Sequence, residues 1–412
     1  MINIDIHTHS RYSRATSPSC DLPGLHRAAQ LKGIDIVGTG DFTHPAHFAD
    51  LQKLLTPSAP GLYRLTTAAA AIANTDLPPS CRAAVQFMLT AEISSIYRRD
   101  GQCRKVHSIL TAPTLEAVAK INARLAAVGN ITADGRPILG LDPRDLFDLI
   151  LEIDPACNLI PAHIWTPWFA VLGSKSGFDA VADCFGPYTK YICAVETGLS
   201  SDPPMNWRVA SLNHFALISN SDLHSPVNLA RNATRFYGTP DYFTIFKALA
   251  DKDLSLYAGT INLYPEAGKY FADGHRNCGF SSLPCESRAL NNICPKCQTP
   301  LTLGVLHRVE ALATHPLGYQ PPHAAPCHHI IPLHELVGEC LNKGLTTKTV
   351  QTACAALITK FGPELTILLD TPLTNLADTT IPRFTEAITN LRSGNVRRTP
   401  GYDGLYGTIT TL

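Results

Sequence analysis

Two histidines one residue apart, His7 and His9, close the apolar run INIDIH. In a strand, residues two apart share a face, so both imidazoles project together where the strand enters a loop. Other polar groups fall at or near the ends of further β-rich runs. Asp41 follows GIDIVGTG, Glu92 lies in AVQFMLTAEIS, His107 in KVHSIL, His163 after NLIPA, Glu196 in YICAVE, and Asp222 with His224 after HFALISNS. Five imidazoles and four carboxylates brought to one face could be buried together only with compensating cations, because an unpaired buried carboxylate costs several kcal/mol. Mixed nitrogen and oxygen ligands suit zinc, manganese or iron rather than a calcium cage. A carboxylate bridging two ions roughly 3.5–4 Å apart is the equipment of a multi-metal phosphoesterase. His26, His47 and His214 lack such paired neighbours and read as packed or surface residues.

A second constellation is H-x2-C-x15-C-x2-C, formed by His275, Cys278, Cys294 and Cys297 in DGHRNC and ICPKC. Two close pairs at that separation match a zinc ribbon or knuckle, with four ligands closing a tetrahedron and no position left for water. Cys285 lies between the pairs and competes with His275 for the fourth place.

Such groups need a scaffold. From residue 1 to about 262, β-rich runs at 2–7, 33–41, 84–94, 105–110, 158–163, 191–197 and 214–222 alternate with helical candidates at 21–32, 44–55, 114–127, 142–153 and 240–250. That alternation predicts a parallel sheet covered by helices, open or closed into a barrel, with its site at the C-terminal ends of the strands. A Cys, Gly and Pro-rich stretch at 263–305 reads as a separate small module. Segment 306–412 carries helical candidates at 334–343, 346–361 and 382–393, following one at 304–313.

The 412-residue chain has a hydrophobic fraction of 45% and a charged fraction of 17%, which fits a globular protein of more than one domain. No apolar run approaches the roughly 18–20 residues of a membrane span, and the expectation is a monomeric, cytoplasmic protein. With 34 basic and 34 acidic residues, the formal charge of zero supplies no electrostatic argument for a polyanionic partner. Ions bound to the proposed carboxylates would, however, turn that face positive.

H-x-H after the first run, an aspartate after the second, an interior glutamate, two spaced histidines and a terminal D-x-H resemble the PHP (polymerase and histidinol phosphatase) superfamily. HSRYSRATS, GTGDFTHP, SNSDLHSP, DGHRNCG, ICPKC, LTLGVLHRVEALA and PGYDGLYG, spread in order over the chain, resemble the endonuclease Q family more closely. The resemblance implies an irregular seven-stranded β/α barrel at 1–262 with two or three divalent ions (Zn, Mn, Fe or Mg), a zinc module at 263–305, and a mainly helical, DNA-contacting domain at 306–412. It implies His7, His9, Asp41, Glu92, His107, His163, Glu196, Asp222 and His224 as ligands, with Asp222, Glu92 and His163 read as catalytic, and it favours His275 over Cys285 for the structural zinc. Many superfamily members carry a histidine directly after the second-strand aspartate; here Phe42 stands there, with His44 two residues on.

The implied activity is DNA repair, by hydrolysis of the phosphodiester 5′ of deaminated bases (uracil, hypoxanthine, xanthine) and abasic sites through a multi-metal hydroxide mechanism. The implied setting is the nucleoid, with a sliding clamp as a candidate partner. On that reading Arg11, Tyr12, Ser13 and Arg14 grip a phosphate or an extruded nucleotide beside the metals. Trp165, Trp168, Ser200, Ser201 and Trp207 wall a lesion pocket, and Arg276 contacts DNA from the later module. Rival readings are a small-molecule phosphatase of the histidinol-phosphate type, an amidohydrolase, and an inactivated DNA-binding barrel. The first leaves the zinc module without purpose, the second conflicts with the terminal D-x-H and Glu92, and the third conflicts with the nearly complete ligand set.

Overall fold

The computed structural model describes residues 1–412. Its central strand, Ile2–Asp5, runs parallel to Ile36–Gly38, which runs parallel in turn to the start of a 14-residue strand, Gln86–Arg99. The parallel order expected throughout stops there. Gln86–Arg99 pairs antiparallel with Gln102–Ala112, which pairs antiparallel with Asn158–Pro161. On the other side Ile2–Asp5 pairs antiparallel with Ala233–Phe236. The cause of the first departure is local: Asp100-Gly101, with φ of 52° and 75°, is a two-residue turn of the type that matches strand twist and so returns the chain as a hairpin.

Ala194–Glu196 and Ala216–Ile218 form a separate parallel pair. Their residues meet those of the main sheet in an 18-residue apolar cluster that includes Ile4, Ile36, Met88, Ile109, Ile160, Ala194, Ile218 and Phe236. The strands of both sheets therefore pack into one apolar cluster although their hydrogen bonding is not continuous. Outside them lies a 73-residue cluster under helices Leu22–Lys32, Leu115–Ala126 and Pro143–Ile153. Asp21, Thr114 and Asp142 cap these helices by accepting from backbone N–H groups of their first turns.

Two features cross the expected boundaries. Strand Cys327–Ile330 lies parallel to Tyr257–Leu263 and forms the sheet's edge, so segment 306–412 completes the first domain's sheet. The hairpin Arg397–Thr399/Thr408–Thr410 folds back on the start of the cysteine-rich segment, where Gly401 N donates to Glu266 O at 2.8 Å and Arg398 pairs with Glu266 at 3.0 Å. Between these lie helices Leu333–Leu341, Lys348–Phe361 and Phe384–Ser393. No helix is long and apolar enough to cross a membrane.

The helical segment is fastened to the first domain by a buried ion pair, Lys32 Nζ to Glu364 Oε2 at 2.6 Å, while Glu364 Oε1 accepts from Leu333 N at 3.0 Å. Removing one partner leaves a charge without compensation. Glu364→Ala should cost about 3 kcal/mol in denaturant unfolding, and Lys32→Met with Glu364→Met together should cost less than Glu364→Ala alone.

Candidate metal centre

Glu92 stands mid-strand rather than at a strand end, and its two oxygens face different partners. Oε2 lies 3.2 Å from His9 Nε2 and 3.5 Å from His7 Nε2. Asp222 Oδ1 completes that group at 3.2 Å from His9 Nε2 and 3.6 Å from His7 Nε2. Oε1 lies 2.6 Å from His107 Nδ1 and 3.2 Å from His163 Nε2, with the two ring nitrogens 3.3 Å apart. In each group one ligand atom per residue falls within 4.8 Å of the others. Hairpin register explains half of this: His107 sits opposite Ser94, two residues beyond Glu92, so all three share one face.

The remaining nitrogen of every imidazole is held from outside. His7 Nδ1 lies 3.0 Å from both Glu196 oxygens, and His9 Nδ1 lies 3.2 Å from Asp41 Oδ1. His107 Nε2 meets Ser94 Oγ at 3.1 Å and His163 Nδ1 meets Thr166 Oγ1 at 3.2 Å. Such contacts fix the tautomer and aim the other nitrogen inward.

Two expected ligands lie just outside these two groups. Asp41 is occupied by His9, Ser10 and Ser13, with Oδ2 accepting from Ser10 N at 2.7 Å, Ser10 Oγ at 2.6 Å and Ser13 Oγ at 2.9 Å. Glu196 holds His7 and accepts from His163 N at 2.7 Å and Asn220 Nδ2 at 2.8 Å. His224 also stands outside both groups. Its Nδ1 lies 3.1 Å from Asp222 O and its ring packs on His9 at 4.4 Å. His44 stacks on Tyr12 at 4.5 Å rather than joining a cluster.

The residues fit divalent cations. His7 Nε2, His9 Nε2 and Asp222 Oδ1 are buried without hydrogen-bond partners, although they converge, which is costly unless something accepts their lone pairs. Burial by itself pushes His7 and His9 down. Glu196, Glu92 and Asp222 around His7, and Asp222, Asp41 and Glu92 around His9, outweigh it and hold both well above the ordinary range. The ion-free carboxylates thus draw protons onto imidazoles, the same compensation a cation supplies. Burial, only partly offset by Glu92, brings His107 down to about 4, so its ring is neutral and able to ligate.

The loops are shaped for these positions. Asp41, His163 and Asp222 all adopt positive φ, at 46°, 29° and 48°, a conformation that costs non-glycine residues and clusters at functional sites. Gly198, at φ 78°, lets the chain pass His163, since a Cβ there would stand 2.8 Å from His163 Cβ. Buried Asp5 ties the first strand to the D-x-H loop by accepting from Ser221 N at 3.0 Å and Ala230 N at 3.2 Å; burial pushes its carboxyl up to about 6.

Sequence reasoning missed Arg136 and Arg231. Arg136 Nη1 reaches Glu92 Oε2 at 3.1 Å from the loop ADGRP, which carries no metal-site pattern. Arg231 Nε donates to Ser221 O at 2.8 Å and Nη2 to Asp222 O at 3.2 Å, clamping the strained turn. Ser94 and Thr166 were missed too, though Ser94 follows from the hairpin register.

A cleft of about 460 Å³ opens on His163, Asp222 and His224, walled also by Ser200, Arg231, Lys269, Tyr270 and Tyr406. Several expected wall residues lie elsewhere. Trp165 is 1% exposed and its Nε1 donates to Asn206 Oδ1 at 2.8 Å, so it is a core plug. Trp165→Ala should therefore lower unfolding free energy by about 3–5 kcal/mol, measured in urea. Ser201 is buried and donates to Thr197 O, while half-buried Trp207 lines a different pocket with Pro203, Leu212 and Tyr257. Ser13 is buried against Asp41, and Arg11 and Tyr12 both contact Asp50. Trp168 is exposed beside Tyr270, and Arg14 and Arg276 are exposed.

In the cysteine-rich segment, His275, Cys278, Cys294 and Cys297 converge, with Cys297 Sγ 3.3 Å from His275 Nδ1. His275 ends one strand of the hairpin Asp273–His275/Phe280–Ser282. Cys285, exposed on the short helix Pro284–Ala289, is not in the group. A bond from Thr299 pulls the Cys297 thiol down to about 6, toward the thiolate that ligation requires.

Residues 332–395 match the family model described as the MJ0043 C-terminal domain. The chain is 32% identical over 285 residues to the uncharacterized protein MJ0043 of Methanocaldococcus jannaschii, covering 66% of this chain and 35% of that protein. It thus spans about a third of that relative's length. It is 28% identical over 391 residues to the uncharacterized protein YqxK of Bacillus subtilis, covering 93% of this chain and 91% of that one. Among solved structures, the lesion-specific endonuclease PfuEndoQ of Pyrococcus furiosus superposes with a TM-score of 0.84 at 28% identity over 99% of this chain and 95% of that one. Endonuclease Q in complex with a 27-mer duplex substrate carrying an abasic lesion at its active site gives 0.85 at 28% identity, over 100% and 96%. The chain is thus similar along its whole length to solved lesion-specific endonuclease Q structures, and over its C-terminal helices to the MJ0043 C-terminal domain.

Proposed function

We propose that this chain is a metal-dependent DNA repair endonuclease that hydrolyses the phosphodiester 5′ of deaminated bases (uracil, hypoxanthine, xanthine) and of abasic sites. The observation that carries the reading is Glu92, whose two oxygens each face a group of inward-aimed ligand atoms, in a chain similar over its full length to lesion-specific nucleases. His7, His9, Glu92 and Asp222 would hold one divalent ion, and Glu92, His107 and His163 a second. Asp41, Glu196 and His224 surround them and could contribute to a third. Ions of this kind, Zn, Mn, Fe or Mg, supply a nucleophile from water at neutral pH and stabilise charge on the leaving oxygen. One structural zinc would sit among His275, Cys278, Cys294 and Cys297.

The chain's own residues do the positioning. Glu196 and Asp41 hold the His7 and His9 rings, Arg231 keeps the Asp222 carbonyl in its turn, and Arg136 balances the Glu92 charge. Lys269, Tyr270 and Tyr406 give the cleft a cationic and aromatic wall suited to an extruded nucleotide. Arg11, Arg14, Trp168, Ser200 and Arg276 would meet the flanking strand.

The test uses end-labelled duplexes carrying uracil, hypoxanthine, an abasic site or no lesion, with a chelator control and Asp222→Ala. Cleavage 5′ of the lesion that requires both metal and Asp222 supports the reading. Intact DNA in magnesium, manganese and zinc, alongside turnover of a small phosphomonoester, rejects it in favour of a phosphatase.

A further inference from the structure

The sheet's outer face holds a second polar pocket, away from the Glu92 cleft. On strand Ala233–Phe236, Phe236 joins the inner apolar cluster and Thr234 Oγ1 donates to Ser219 O. Alternation then turns Arg235 outward, beneath the C-terminal helical segment. There it lines a pocket of about 420 Å³ with Tyr264, His328, Asp370 and Arg392. Arg235 is 8% exposed, and its buried Nε has no hydrogen-bond partner. Asp370, the one carboxylate on the wall, is exposed and forms no ion pair with it. Arg392 is fixed by donating to Leu368 O at 2.9 Å and Ile367 O at 3.0 Å, which orders its guanidinium without neutralising it. Burial lowers the affinity of both guanidinium groups for their protons, and the nearby Asp370 carboxylate offsets this only in part. A guanidinium so placed gains from an anion that completes its unmet hydrogen bonding.

We propose that this pocket binds a phosphate-class oxyanion between Arg235 and Arg392. Tyr264 is already packed by His329 and Arg398, each 4.9 Å from its ring, so it offers no free stacking platform and the phosphoryl group is the part recognised. Two sources share that chemistry: free phosphate, and a backbone phosphate of bound DNA, the latter resting on the function proposed above.

The first arm compares melting of the full-length, metal-replete protein in chloride and in inorganic phosphate at matched ionic strength. The wild type should gain roughly 2 °C or more, and Arg235→Gln distinctly less. Phosphate captured at the Glu92 centre shifts both proteins equally and cancels in the difference. Arg235→Lys keeps the charge and should retain part of the gain, which preserves the comparison if the glutamine variant does not fold. The second arm measures the salt dependence of duplex affinity, where loss of one phosphate contact flattens the log–log slope by about one. A difference confined to the first arm assigns free phosphate, and one in the second assigns DNA. Equal responses to phosphate together with an unchanged salt slope overturn the proposal.

Discussion

Glu92→Gln should lower the cleavage rate by about several hundredfold and bind fewer divalent ions around that residue, while the protein stays folded. The amide keeps the shape of the side chain but offers one neutral oxygen where the carboxylate faces His7, His9 and Asp222 with Oε2 and His107 and His163 with Oε1. Loss of preorganised charge at a reacting phosphate is worth about 3–4 kcal/mol, which sets that factor. The contrast with Asp41→Asn matters as much as the loss. Asp41 acts on His9 from behind and is itself held by Ser10 and Ser13, so its change should cost about 10–100-fold. Single-turnover rates with metal analysis of the two variants separate ligand from support. Equal losses for both would mean that Asp41 ligates directly.

Cys294→Ser should release one zinc and unfold the cysteine-rich segment without emptying the Glu92 centre. Cys294 is fully buried within the four-ligand group. Around it the segment has one three-residue hairpin, short helical turns and no extended core, so metal binding is most of its folding free energy, about 10 kcal/mol for sites of this kind. Because Gly274 pairs with Thr302 and Ala272 N donates to Gly401 O, the tail hairpin should loosen with it. Limited proteolysis between residues 276 and 300, together with zinc analysis, reads this out. Cys285→Ser should behave as wild type, and a protease-resistant, zinc-replete Cys294→Ser protein would contradict the assignment.

The pairs with fixed short spacing were legible in the sequence because their geometry is local. His7 and His9 share a face through strand alternation, and Cys278, Cys294 and Cys297 meet His275 through two tight turns. The helices were legible for the same reason, as at 348–361 and 384–393, where apolar spacing runs up to a terminating glycine, Gly362 or Gly394. What escaped depends on partners distant in sequence. Asp41 and Glu196 look identical to the other polar strand ends, and only the placement of Ser10, Ser13 and Asn220 shows the bonds that set them apart from the two groups around Glu92. Arg136 and Arg231 reach the site from loops with no periodicity. The antiparallel hairpin was foreshadowed by Asp100-Gly101, a turn signal that outweighs the expectation of alternating strands and helices. Trp165 shows the opposite limit: an aromatic side chain after a ligand histidine serves as core or as platform depending on whether its N–H finds Asn206 or a substrate.

The most direct test is anomalous diffraction from crystals of the full chain grown with manganese. The account predicts two strong peaks in the first domain on either side of the Glu92 carboxylate, one among His7, His9 and Asp222 and the other between His107 and His163. A single peak, or a Glu92 carboxylate bound only to Arg136 with the histidines unligated, would contradict it.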